Sequence, residues 1–483
     1  MKFLHYLNQR GLFMEMHIGL IVTLVMYVIF FTFQALYIFI PLLTVKGKKF
    51  SSKGHAFEQG ISVLIPAYNE ESVLKNCIQA LLHVDYQKYE AFIINDGSSD
   101  HSMKLLNSLL QLKECKRNKA NVLEHKEIKG VYQSSLFPSI FVIDKENGGK
   151  ADSLNAGIEY AAYENIITLD ADSALDVHSL RIINEAFVDK DVIAAGGMVH
   201  IGQAFHGDYT NPKPKFNVNH LMKFQFMQYL ANFYLYKITQ TKFNALAIIS
   251  GAFGVFKRSV LLEVKGYRIT VGEDMDITMR IQRLIKTKYP NKKIIFIPEA
   301  VCYTEGPETF RDLFKQRIRW QKAFIDCIMI YGTSLFRKFG FGVSVFLLVD
   351  ALMLGTLTAF PTLIIPFVIL LSGSGAILAL MLFLFSFSLG VFQSLVSLII
   401  SHRLGHSFTK RDRLRLGYFV PLEIVSYRFL GVIFNTFGTI AYFINKNSWN
   451  KVQRVGKQHQ TYSEELAGSD NVIPITQKSK KTS

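Results

Sequence analysis

Asp170 and Asp172 stand two residues apart at the end of the run Ile166-Ile-Thr-Leu169. Apolar and β-branched residues in such a run predict a buried strand, and residues i and i+2 of a strand project to one side. Where the strand yields to its loop, both carboxylates reach toward one point beyond its C-terminal end, the edge at which open α/β sheets bind ligands. Two acids meeting there repel unless a cation lies between them. Hard oxygen ligands suit Mg2+ or Mn2+, held by the carboxylates together with substrate phosphates. A metal–diphosphate site is one reading. A helix N-cap built from Ser173 or Asp176 is the other.

Five more stretches carry a similar ambiguity. Pro66-Ala67-Tyr68-Asn69-Glu70 ends a first strand, either as a turn with Asn69 capping a helix or as a nucleotide-base pocket. Asn95-Asp96-Gly97-Ser98-Ser99-Asp100 ends a second, as a turn signal with a serine cap or with Asp96 placed to accept from a base or ribose. In Glu146-Asn-Gly-Gly-Lys150, two glycines precede a lysine at a helix start. Backbone N–H groups and a cation there suit a phosphate; a flexible turn with a solvated lysine is the plainer account. Gly272-Glu273-Asp274 supplies acids apart from the metal pair, and transfer to a hydroxyl needs a base that is not tied to the metal. Acids favoured by a helix N-terminus are the alternative. Gln316-Arg-Ile-Arg319-Trp320 sits among Phe310, Leu313, Phe314, Ile318, Phe324 and Ile325, an amphipathic pattern suited to a membrane surface. It also has an arginine able to neutralise a leaving diphosphate and an indole able to stack on a sugar. No G-x-G-x-x-G or G-x-x-x-x-G-K-[ST] occurs, which counts against dinucleotide and P-loop chemistry.

Strands alternating with helices must position these groups. Strands are expected at Ile61–Ile65, Ala91–Ile94, Ile140–Ile143, Ile166–Leu169 and Val192–Ala195, the last completing the set. Helices are expected at Glu70–Leu82, Met103–Leu112 and Ala151–Ala162. That order predicts a mostly parallel sheet covered on both faces, an α/β domain of Rossmann-like kind. Lys113–Ser139 reads as a hairpin or insertion, Lys213–Thr241 as helical, and Ile248–Phe256 gathers small residues.

The 483-residue chain is 49% hydrophobic with 40 Phe, and its mean hydropathy is +0.20, so part of it should lie in lipid. A formal charge of +16 could draw nucleic acid, an anionic membrane or an anionic substrate. Lys46, Lys48, Lys49 and Lys53 follow one apolar run, and basic residues from Arg403 to Arg415 separate two others. The excess therefore reads as membrane topology and not as nucleic-acid binding. Cys77, Cys115, Cys302 and Cys327 form no C-x-x-C pair, which fits a reducing compartment and argues against zinc or a disulfide frame. The chain divides into an N-terminal segment (1–15) and a transmembrane helix (16–44). A cytosolic catalytic domain (45–305) follows, with interface helices after it (306–340). Three transmembrane segments (341–445) and a basic, polar, disordered tail (446–483) complete it. Glu423 and Arg428 fall inside the last apolar segment, so it either spans with its charges facing an interior or lies in the interface.

Taken in order, Asp96 (D-G-S-S-D), Asp170 and Asp172 (D-x-D), Glu273-Asp274 and Gln316/Arg319/Trp320 (Q-x-x-R-W) resemble the membrane-embedded, processive family-2 glycosyltransferases. That group makes cellulose, chitin, hyaluronan and poly-N-acetylglucosamine; Asn147-Gly-Gly-Lys-Ala-Asp152 is most similar to the bacterial poly-β-1,6-N-acetylglucosamine synthases. The resemblance implies a GT-A-type domain inserted between transmembrane helices, a UDP-sugar donor with UDP-N-acetylglucosamine favoured, and a growing β-glycan acceptor. By the resemblance Ala67, Tyr68, Glu70 and Asp96 hold uridine, Lys150 and Asp170 the diphosphate and donor, and Asp170 and Asp172 a Mg2+ or Mn2+. Asp274 beside Glu273 is the base. Ser250, Gly251, Ala252 and Phe253, with Gln316, Arg319 and Trp320, serve acceptor and diphosphate. Gly272 stands where the group usually has Thr. Partners are the bilayer, with a small accessory membrane subunit allowed. Two rivals stand: a single transfer to a lipid acceptor, and a non-catalytic transporter or scaffold with a degenerate nucleotide domain.

Overall fold

The computed structural model describes residues 2–47, 57–207, 212–215, 217–362, 376–405 and 408–445. The expected tail from 446, Lys48, Lys49, Lys53 and the end of the second apolar segment fall outside them. Helix α1 runs Lys2–Thr44 and takes in residues of the segment expected before the 16–44 helix. The α/β domain then runs β1 (Ile61–Ala67), α2 (Glu71–Leu82), β2 (Tyr89–Asp96), α3 (Ser102–Leu110), β3 (Leu112–Glu114), β4 (Ile128–Ser134), β5 (Ile140–Lys145) and α4 (Lys150–Tyr160). It continues with β6 (Asn165–Leu169), β7 (Ser173–Leu175), α5 (Ser179–Ala186), β8 (Val192–Ile201), the short pair β9 (Phe205–His206) and β10 (Lys213–Pro214), and α6 (His220–Leu230). A π-helical stretch, Ala231–Lys237, joins α6 to α7 (Ile238–Lys242), and β11 (Phe253–Lys257), α8 (Arg258–Glu263), α9 (Glu273–Thr287) and β12 (Lys293–Thr304) close the domain.

One ten-stranded sheet has the order β3-β4-β5-β2-β1-β6-β11-β8-β12-β7. β5, β2, β1 and β6 are mutually parallel, as are β8 and β12. β11 lies antiparallel between β6 and β8, and β7 antiparallel on β12. The parallel strands are buried on both faces, which is why they read as unbroken apolar runs. Val192–Ala195 therefore does not complete the strand set. β11 and β12 are further strands, and they are what carries the sheet past β6. The insertion 113–139 is a hairpin-like extension, with β4 antiparallel to both β3 and β5.

After the domain come α10 (Phe310–Tyr331), α11 (Phe341–Val345) with a π-helical continuation Phe346–Leu357, and α12 (Ala376–Arg403). α13 (Lys410–Leu422) passes through a π-helical turn, Glu423–Tyr427, into α14 (Arg428–Ile444). Among the described residues four helices are long and apolar enough to cross a membrane: Leu24–Thr44, Phe341–Thr362, Ala379–Arg403 and Lys410–Ile444. Glu423 and Arg428 face each other at 3.5 Å, and Arg428 also donates to Gln393 Oε1 at 3.1 Å and Ser394 Oγ at 3.2 Å. Both charges thus point into the bundle, where a polar group in an apolar helix finds partners. The four cysteines are free.

Candidate active site

The site forms where β6 ends and β11 begins. Asp170 leaves β6 in a tight turn, Ser173 N donating to its carbonyl at 2.9 Å. Lys150, the first residue of α4, brings its ammonium to 2.5 Å from Asp170 Oδ1, 3.3 Å from Gly251 O and 3.7 Å from Glu273 Oε1. Burial alone would lower the Lys150 pKa, but Asp170 and Glu273 outweigh it and hold the amine charged. A Cβ on Gly251 would stand 2.9 Å from Lys150 Nζ and 3.4 Å from Asp274 Oδ2, so the ammonium would have to shift to admit one.

Asp274 opens α9 beside Glu273. Its Oδ2 accepts from Gly251 N at 3.2 Å and its Oδ1 from Met275 N at 2.8 Å. Burial raises the Glu273 pKa, Lys150 pulls it down, and Asp274 adds to the rise; Arg319 is a further charge in its field. The structure therefore gathers Lys150, Asp170, Gly251, Glu273 and Asp274 around one point, with Arg319 near. α10 reaches them because Gly272 lets it approach: a Cβ on Gly272 would lie 2.5 Å from Ala323 Cβ. That contact leaves no room for the threonine that the resemblance would lead one to expect there. Trp320, on the same helix, keeps 39% of its surface exposed.

Other expectations come out differently. Asp170 and Asp172 take separate partners. Asp172 is buried, with Ser173 Oγ at 3.3 Å and Thr304 Oγ1 at 3.2 Å from its Oδ1. Neither Ser173 nor Asp176 caps α5, so the N-cap reading of this stretch fails. Asn69 does not cap α2; in a left-handed conformation (φ 53°), its Oδ1 accepts from Ser99 N at 2.7 Å and Asp100 N at 3.3 Å, lacing the first two loops together. Tyr68 is exposed there, whereas Ala67 and Glu70 are buried. Asp96 spends its carboxylate on the protein. Oδ1 accepts from Lys145 Nζ at 2.6 Å and Gly148 N at 2.9 Å; Oδ2 accepts from Gly149 N at 2.8 Å and Asn147 Nδ2 at 3.2 Å. Those glycine N–H groups, expected to cradle a phosphate, thus hold Asp96 instead, and only Lys150 remains of that cradle. Phe253 does not line an acceptor surface. It is fully buried in the sheet core, against Gly197, where a Cβ would meet its ring at 2.2 Å. Ser250 and Ala252 stay in the loop, with Ala252 N 3.4 Å from Ser250 Oγ.

Sequence reasoning missed Lys237, Thr304 and Arg317. Lys237 Nζ donates to Ile248 O at 2.6 Å; burial lowers its pKa to about 8, and Asp274 opposes that shift. Its place in a π-helical stretch leaves no mark in residue type. Among the described residues no three His, Cys, Asp or Glu side chains converge as a ligand set. The oxygen donors of Asp170 and Asp172 are nevertheless of the right kind for a hard divalent cation. The ammonium on Asp170 shows a cluster built around positive charge.

Two family models match the chain: Glycosyl transferase family 2 over residues 62–264 and Glycosyl transferase family group 2 over 165–395. The chain is 29% identical over 287 residues to the poly-beta-1,6-N-acetyl-D-glucosamine synthase of Staphylococcus aureus (strain COL), covering 58% of this chain and 59% of that protein. It is 28% identical over 271 residues to the protein so named in Staphylococcus epidermidis, covering 56% and 55%. The matched stretch thus spans less than two thirds of these relatives. The mannosyltransferase PcManGT from Pyrobaculum calidifontis, solved with GDP-Man and Mn2+, overlays with a TM-score of 0.49 at 14% identity, covering 88% of this chain and 100% of that one. The two models overlap and together run from residue 62 to residue 395, across the whole constellation just described, so the chain carries a glycosyltransferase family 2 domain.

Proposed function

We propose that this enzyme builds a β-linked polysaccharide at the membrane, adding sugars from a UDP-sugar, UDP-N-acetylglucosamine in the first place, to the end of a growing glycan. The observation that carries this reading is the meeting of Lys150, Asp170 and the Glu273-Asp274 acids beside a helix that presents Arg319 and Trp320. Asp274 would take the proton of the acceptor hydroxyl as its oxygen attacks the anomeric carbon in one inverting displacement. Gly251 N, donating to Asp274 Oδ2, fixes the direction of that carboxylate. Lys150 and Arg319 would meet the negative charge gathering on the departing UDP. Asp170 and Asp172 would hold a Mg2+ or Mn2+, which when bound adds positive charge against the diphosphate. Ala67, Tyr68 and Glu70 would frame the uridine, and Asp96 would act there through the Gly148-Gly149 turn that it anchors. Gln316 and Trp320 would receive the acceptor with Ser250, Gly251 and Ala252. The candidate spans would pass the product outward, with residues 45–305 on the cytosolic side, where Lys46 follows the first span.

Membranes carrying the protein, incubated with single UDP-sugars, should release UDP only with the correct donor and yield a product of many sugars. A product extended by one sugar on a lipid identifies the single-transfer rival. No UDP release with any donor overturns the reading.

A further inference from the structure

Between the motif positions of α10 sits Arg317, whose side chain is buried with 5% exposed. Its guanidinium lies over the Trp320 ring, 4.0 Å from the centroid, and 5.9 Å from the centroid of Tyr229 on α6. Nη2 donates to the Tyr427 hydroxyl at 3.4 Å, and that hydroxyl donates to Gln228 Oε1 at 3.1 Å. The Nε–H has no partner, and among the described residues no carboxylate pairs with Arg317. On the same helix, Gln316 Oε1 is likewise buried without a partner. A buried donor left unmade costs about 1–3 kcal/mol, more for a charged group, and native proteins keep few of them. A ligand that supplies an oxygen removes that cost.

The neighbours decide which ligand. Among the described residues the side chains that meet Arg317 are the indole of Trp320 and the phenols of Tyr229 and Tyr427, the last held by the Gln228 amide, whereas Lys150 lies with the acids and Arg319 in the field of Glu273. Ring faces beside neutral hydrogen-bonding groups suit a carbohydrate, whereas a phosphate calls for gathered positive charge. The site also adjoins the reacting end. Burial pushes the Tyr229 phenol up to about 12, Arg317 opposes this, and Asp172 is among the charges that add to it.

We infer that Arg317 is an acceptor-binding residue: its Nε–H donates to an oxygen of the acceptor sugar that lies against the edge of Trp320, in a subsite completed by Tyr229, Tyr427 and Gln228. This rests on the polymer-building reading and deepens it, assigning acceptor contact to a motif position outside the Gln, Arg and Trp that the resemblance names. The experiment uses full-length protein in a Trp449→Phe background, so that emission reports Trp320 alone. A short β-1,6-linked N-acetylglucosamine oligomer is titrated against it, with UDP titrated separately. Arg317→Gln should raise the oligomer concentration at half-saturation about ten-fold, the loss expected for one hydrogen bond from a charged donor. UDP binding should stay within about two-fold, which also shows that the variant is folded. Arg317→Lys should recover part of the loss, and Tyr229→Phe should leave UDP binding intact. Unchanged oligomer binding in Arg317→Gln overturns the inference, as does a parallel loss of UDP binding, which would place the guanidinium on the diphosphate. An oligomer that leaves the parent's emission unmoved also overturns it. Failure of the parent to turn over any UDP-sugar is a separate result that sinks the proposed activity, because oligomer binding is read without turnover.

Discussion

Asp96 and Arg317 are both buried charges at the rim of the site, and they differ in how fully their hydrogen bonds are made. Asp96 has four donors on its two carboxylate oxygens, about what a carboxylate can accept, and Lys145, its ion-pair partner, is 0% exposed and also 2.6 Å from Asp152. Arg317 has one hydroxyl and two ring faces. A saturated buried charge is part of the scaffold, because a ligand could reach it only by breaking bonds already made. An unsaturated one has capacity left for something that comes and goes. The Asp274 carboxylate lies between the two, fixed by backbone N–H groups yet not closed off by a cation of its own.

Each side of that contrast can be broken. The largest effect is expected at the base: Asp274→Asn keeps an oxygen for Gly251 N but cannot take a proton, so transfer should fall by about 10²–10⁴-fold. UDP binding should be nearly unchanged; turnover close to that of the parent enzyme would remove Asp274 from the role. Next comes the saturated network. Lys145→Met leaves Asp96 and Asp152 buried without their cation and should destabilise the domain by about 3–5 kcal/mol, read as a fall in the melting temperature of the purified protein. An unmoved melt would mean that Asp96 is not scaffold, and the contrast with Arg317 would lose its first half. The smallest effect belongs to Lys237, a half-buried amine held by the Ile248 carbonyl and the Phe233 ring. Its folded pKa, about 8, lies below its ordinary 10.5, so between these values the unfolded chain binds the proton and the folded one does not. Stability should therefore rise through that window, relative to Lys237→Met, as alkali removes the charge that burial disfavours. Melting curves of both proteins at pH 7 and pH 9.5 check this; equal shifts in the two would assign the change to other groups.

The parallel half of the sheet was legible because its strands are buried on both faces, and only apolar runs such as Ile61–Ile65 and Ala91–Ile94 meet that demand. β12 was harder: Pro298 and Glu299 interrupt Lys293–Thr304, and the ladder to β8 shifts register between Ile297 and Val301. β11 was hidden by the small residues before it. At the site, residue types announced the acids and Lys150, since few other jobs need charges at strand ends and helix starts. Their partners were not announced. That Asp96 would bind residues 145–149, and that Asp172 would meet Thr304, follows from which strands lie side by side, and the local sequence does not carry that. Arg317 was invisible for a related reason: on an amphipathic helix rich in arginine, composition does not say which guanidinium turns inward.

The approach of Gly272 to Ala323 ties the acid loop to the helices that pack on the last candidate span. At that crossing the space is filled by a hydrogen atom, so the helix bearing Trp320 cannot slide or roll toward the acid loop without pushing it. The same helix is tied to the last candidate span: Gln321 Nε2 reaches Thr439 Oγ1 at 3.1 Å, and Tyr442 donates to Asp326 Oδ1 at 2.9 Å. Any displacement of that candidate span is thereby geared to the carboxylates at the head of α9.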